Sequence, residues 1–196
     1  MEIPKLLKDD NKNAKSICKI SLNQESTGFF LRIKKKKQYN LLITCYHCLN
    51  KSIKDEDEIE IRLKGDKKHV IDLNSKNRLI KCIENKNLAA IEIIKKDNLM
   101  NSVHFLELDF SYINGYNQYK GKDIMALEYY KDGKIYSKKG QVLDVNEKDF
   151  EFKHNINIKE ESDGCPIILN DNSCVIGMHK KLSFGTFMAE LIKELI

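Results

Sequence analysis

The feature that most constrains this chain is its rhythm: apolar residues alternate with polar ones in short runs that polar turns interrupt. "EIEIRL" (58–63) shows it plainly, with Ile59, Ile61 and Leu63 on one face and Glu58, Glu60 and Arg62 on the other. That period suits half-buried strands. Strands are expected at 16–22, 26–34, 39–47, 58–63, 68–73, 78–84 and 87–94. A second set is expected at 123–130, 134–145, 149–156, 165–169, 174–180 and 185–190. Helical spacing is sparse, about one turn in "DNLMNSVHFLEL" and an amphipathic end, "FMAELIKELI". There Met188, Leu191, Ile192 and Leu195 fall at helical intervals opposite Glu190 and Glu194. The expectation is an all-β body of barrel or sandwich type, closed by a C-terminal amphipathic helix over 187–196.

Pro4 and Pro166 are the two prolines, and no Ser/Gly-rich linker divides the chain, so one unit spanning 1–196 is expected. A chain of 196 residues can bury a core without disulfides or metal. Net charge is a mild +5, and the cations are nearly all Lys; Arg32, Arg62 and Arg78 are the only forked donors. With no patterned aromatic–basic surface, nucleic acid is not an expected partner, and "IKKKKQ" (33–38) reads as a solvated loop. No apolar run is long enough to span a membrane. "MEIPKLLKDDNKNAK" lacks the apolar core of a secretory leader, so the expected compartment is the cytosol, with Cys18, Cys45, Cys48, Cys82, Cys165 and Cys174 reduced. Cys45 and Cys48 form a CxxC, but no second CxxC or His pair completes a zinc site, and neither metal nor cofactor is expected.

Three stretches carry chemistry. "STGFFLRI…YNLLITCYHCLN" ends in His47, which reads either as a general base at a groove or as a strand-capping histidine. "KNLAAIEI" places Asn87 before a buried strand. A carboxylate there would orient an imidazole; an amide can accept the ring N–H without adding charge, or present its own donor and hold the wrong tautomer. "EESDGCPIILNDNSCVIGMHK" is a polar turn ending in Gly-x-Pro that runs into apolar strands.

In this order and spacing the three resemble the chymotrypsin/trypsin-like serine peptidase family, and especially its compact intracellular and viral-type members. The resemblance implies a double β-barrel, with barrels at approximately 16–100 and 115–187. It puts His47 at the general base, Asn87 where the family has its orienting Asp, and Asp163 where it has the nucleophilic Ser. Glu161 stands where a Gly lets the backbone face the oxyanion; Gly164 completes that position, and Ser162, Gly164 and Pro166 keep the frame. Ser162, Cys165 and His179 would line the peptide-binding side. His179 either reads an acidic or amide side chain or bonds a neighbouring backbone group, while His69, His104 and His154 are expected to be structural or exposed.

Asp163 beside His47 should form an ion pair and raise the imidazole's pKa. A carboxylate is a poor nucleophile toward an amide, and Glu161 would bring negative charge to the site of the oxyanion. The expected function is therefore a degenerate, inactive member whose inter-barrel groove binds a peptide or protein. One alternative is an active peptidase using Ser162 or Cys165, or one altered by engineering. Another is a structural subunit of a larger assembly.

Overall fold

The computed structural model describes residues 3–8, 10–21, 25–34, 36–49, 58–74, 76, 78–189, 191 and 193, without the side chain of Cys48. A two-residue strand, β1 (Lys5–Leu6), comes first. The first sheet follows with β2 (Ile17–Ser21), β3 (Glu25–Lys34), β4 (Gln38–Cys45), β5 (Glu58–Leu63), β6 (Lys67–Asp72), β7 (Ile80–Ile83), β8 (Leu88–Glu92) and β9 (Leu106–Glu107). Its order is β6-β5-β2-β3-β4-β8-β7, with β9 parallel to β3 at Leu31 and Arg32. The second sheet holds β10 (Asp123–Tyr129), β11 (Ile135–Asn146), β12 (Glu151–His154), β13 (Pro166–Leu169), β14 (Val175–Lys181) and β15 (Phe184–Phe187). Its order is β11-β10-β13-β14-β15-β12, and β12 returns to β11 to close a six-stranded barrel, while β1 pairs with β11. Strand β11 can serve several neighbours because its register shifts between Val142 and Asp144, where a bulge bends it around the barrel.

This is the expected all-β, two-barrel architecture, with one difference in form. The first sheet is curled but β6 and β7 do not pair among the described residues, so it is an open barrel. Period-2 alternation explains its interior, where Ile59, Ile61 and Ile71 join Cys18, Phe30 and Leu42. Strands β3 and β4 are buried on both faces. Phe29, Leu31, Ile33, Leu41 and Ile43 point the other way, into a core shared with Leu127, Ile168, Val175 and Met178 of the second barrel. That is why "GFFL" and "LLIT" read as unbroken apolar runs. The second barrel encloses its own core around Phe152, Ile167 and Phe187.

Some local expectations are corrected. Strand β4 stops at Cys45, and one helical turn, α1 (Tyr46–Leu49), carries His47. In the stretch expected to coil, Lys95–Asp97 makes a short 3-10 turn, but Leu106 and Glu107 extend as β9, drawn by burial of Phe105, Leu106 and Leu108. Of the expected C-terminal helix, Ala189, Leu191 and Lys193 are helical, with Ala189 and Leu191 buried; Glu190, Ile192 and 194–196 lie outside the described residues. Lys35 of the basic run lies outside them too.

Candidate functional site

The first barrel supplies two of the three resemblance residues. After β4, the backbone N–H of Tyr46 donates to the Asn87 carbonyl at 3.1 Å, which ties α1 to the start of β8. Asn87 caps a 3-10 turn, Glu84–Lys86, at φ +52°, a left-handed conformation that Asn tolerates better than most residues. From there its Oδ1 accepts the backbone N–H of His47 at 3.0 Å and meets His47 Nδ1 at 2.9 Å. A backbone amide can only donate, so the side-chain atom facing it is the oxygen. The same oxygen then requires a proton on Nδ1. Asn87 therefore holds the tautomer that a general base needs, with Nε2 turned to the cleft. The wrong-tautomer arrangement is excluded by a hydrogen bond local to His47 itself.

The second barrel supplies the turn. Glu160–Ser162 form a 3-10 turn leading into Asp163. The Asp163 carbonyl accepts the Thr27 N–H at 3.0 Å, fastening the turn to β3. Gly164 follows at φ +90°, and a Cβ there would collide with the Thr27 carbonyl and lie 3.0 Å from Thr44 Oγ1. Only glycine fits beneath this turn. Asp163 Oδ2 lies 3.6 Å from His47 Nε2, and Oδ1 lies 3.5 Å from His179 Nε2. His47, Asn87 and Asp163 thus converge across the two barrels.

Asp163 departs from the expected simple anion. Burial pushes its carboxyl up to about 6, outweighing the downward pull of His47, while nearby Glu160 raises it and Lys181 lowers it. Its Oδ1 is buried and makes no hydrogen bond among the described residues.

Two N–H groups at this turn are bonded within the chain. The Asp163 N–H donates to the Glu160 carbonyl at 3.3 Å, and the Gly164 N–H to the His179 carbonyl at 3.0 Å. Glu161 does not act as the bare negative charge expected from sequence. Its carboxylate pairs with Lys131 at 2.8 Å, and that partner holds its pKa down. Ser162 is buried to 1% exposure. Cys165 is fully buried, and burial pushes its thiol well up, so it is present as thiol and not as thiolate.

His154 is the residue that sequence reasoning missed. It is fully buried, and its Nε2 lies 3.1 Å from Nδ1 of His179, itself 1% exposed. The signal was present: in "EFKH" Phe152 and His154 share one strand face, and Phe152 belongs to the core. Burial lowers both imidazoles, His154 to about 4 and His179 to about 3. His69 lies on β6, and the His104 N–H donates to the Lys15 carbonyl; neither joins the cluster. Among the described residues no three His, Cys, Asp or Glu side chains gather as metal ligands. Cys18, Cys45, Cys82, Cys165 and Cys174 form no disulfide.

The two-barrel fold is the one seen in several solved proteases. The chain is similar to the crystal structure of Deg5, at TM-score 0.67 and 14% identity, over 93% of this chain and 88% of that one. It is similar to the serine protease domain of the Sesbania mosaic virus polyprotein, at TM-score 0.65 and 15% identity, over 98% of each chain. It is also similar to catalytically active tobacco etch virus protease complexed with product, at TM-score 0.62 and 13% identity, over 97% and 82%. No family model matches the sequence, and neither does any curated protein.

Proposed function

We propose that this protein is a two-barrel peptidase fold that binds a peptide or protein segment in its inter-barrel cleft without cleaving it. The observation that carries this reading is the Asp163 turn. A carboxyl stands where the nucleophile would be, and the N–H beside it is bonded to Glu160. Restoring turnover would need a new nucleophile and a rearranged backbone together, each worth orders of magnitude in rate. The proposed setting is the cytosol, with no metal or cofactor, and with the ligand held as an extended segment.

A fluorophosphonate and a thiol-reactive probe test this reading. Neither should label the protein in its cleft, and no peptide library should be cut. Labelling at Ser162 or Cys165 with matching cleavage would overturn it. A second reading, an active peptidase with an unconventional nucleophile, draws on the intact His47–Asn87 pair. The triple variant Asp163→Ser, Asn87→Asp, Glu161→Gly weighs the two. Activity gained only in that variant supports the binding role, and activity already present in the unchanged protein supports the enzyme.

A further inference from the structure

The bonds from Asn87 to His47 shape that pair within the first barrel, but they do not place it against Asp163 on the second. Part of that placement comes from β15. Thr186, fully buried there, donates its hydroxyl to the Lys86 carbonyl at 3.2 Å. That carbonyl and the Asn87 N–H belong to one planar peptide unit, and the N–H donates to the Glu84 carbonyl at 2.9 Å. The unit is therefore held at one end by the second barrel and at the other by its own turn. The Lys86 side chain adds a further tie. Its Nζ donates to the Asp149 carbonyl at 2.7 Å and lies 5.6 Å from the centroid of the Phe150 ring. Phe150 stands at φ +55°, a conformation that a bulky side chain keeps only where its surroundings hold it. They do: its carbonyl accepts the Phe187 N–H at 2.9 Å, and the Tyr116 ring stands nearly perpendicular to its own. Lys193, from the C-terminal helical residues, brings a second ammonium to 4.1 Å from the same centroid.

We propose that Thr186 is a positioning residue for this site, and that with the Lys86–Asp149 tie it fixes the reach of His47 toward Asp163 across the barrels. Asn87 moves with the Lys86–Asn87 peptide unit. His47 moves with Asn87, because both bonds to His47 start from one side-chain oxygen. Releasing the peptide from β15 lets the pair shift as a unit. Its local bonds then survive, and the 3.6 Å separation from Asp163 does not. The inference holds whether the cleft binds or cleaves, because it concerns distance and not turnover.

The experiment compares the full chain with its Thr186→Val, Lys86→Met double variant, which keeps most of the volume of both side chains and removes both donors. Two NMR readouts are taken: the Overhauser effect between the His47 ring and the Asp163 methylene, and the ¹³C titration of the Asp163 carboxyl. The variant should weaken the first severalfold. It should lower the second by about one unit, a tenfold loss of proton affinity, as water reaches a carboxyl that burial had raised. Asp163 is faced by His47, His179, Glu160 and Lys181, and the variant alters none of them. His47 should keep its proton on Nδ1 in ¹⁵N spectra. Ile59→Val, which opens a small cavity inside the first barrel, should change neither readout. An unchanged Overhauser effect in the folded double variant would overturn the proposal, as would a change of equal size in Ile59→Val. Loss of the Nδ1 proton would overturn it too, since the tie would then act on the Asn87 side chain itself. If the double variant does not fold, Lys86→Met alone decides. It should shift both readouts partway, and a spectrum identical to that of the unchanged protein would overturn the proposal.

Discussion

The two halves of the site differ in what fixes them. On the first barrel, Asn87 bonds both the backbone and the ring of His47 and so fixes the imidazole tautomer. On the second, Gly164 and the bond to β3 fix the turn, while Asp163 presents a buried carboxyl and an N–H bonded within the turn. The contrast separates two kinds of constraint. Geometry at Asn87 is set locally, by a left-handed cap and a neighbouring amide. The chemistry of position 163 depends on its side-chain atoms alone, whereas the packing beneath it depends on Gly164.

The sharpest break comes from the packing itself. Gly164→Ala should cost about 3–5 kcal/mol, because the new Cβ meets backbone at Thr27 under a positive φ. Denaturant titration with an unchanged midpoint would show the turn to be adaptable. Next in size is pH. His154 is held below its ordinary 6.5, so its contribution to stability is complete above pH 6.5 and is lost as pH falls through about 4, on the order of 3 kcal/mol. Asp163, raised from 3.8 to about 6, has the opposite sign: its folded form prefers the proton, and stability declines as pH rises from 3.8 to 6. Asp163→Asn should delete that second slope and leave the acid-side loss intact, which thermal melts across pH 3–8 would read. Identical profiles for the two proteins would mean that the carboxyl is fully solvated.

On the first-barrel side, Asn87→Ala removes the acceptor of two hydrogen bonds and should cost about 1–2 kcal/mol, whereas Asn87→Asp should leave stability nearly unchanged. If the two variants melt alike, the His47 anchor lies elsewhere. The smallest effect is expected at the surface. Lys131→Ala breaks only an exposed pair with Glu161 and should leave the melting temperature where it was.

Much of this was legible in the residues, for reasons that differ by position. Alternation in "EIEIRL" needs no tertiary information, and the unbroken runs in β3 and β4 report burial on both faces. That His47, Asn87 and Asp163 lie close together followed from the resemblance in their order along the chain. Strands β1 and β9 were not, since two residues carry no period and their pairing is set by what they lie against. The His154–His179 pair was hidden because it forms across an intervening strand. Two further properties also depend on three-dimensional neighbours. The Asp163 pKa follows from burial, and the charge of Glu161 is met by a lysine on the β10–β11 hairpin.

The bond between the Thr27 amide and the Asp163 carbonyl also has a temporal side. During synthesis the amide leaves the ribosome long before its acceptor exists. At ordinary translation speeds the wait is on the order of ten seconds. Through that interval β3 presents a bare donor and the apolar face that the second barrel will later cover. The nascent first barrel therefore waits with an apolar face uncovered, and the turn at Asp163 decides when that exposure ends.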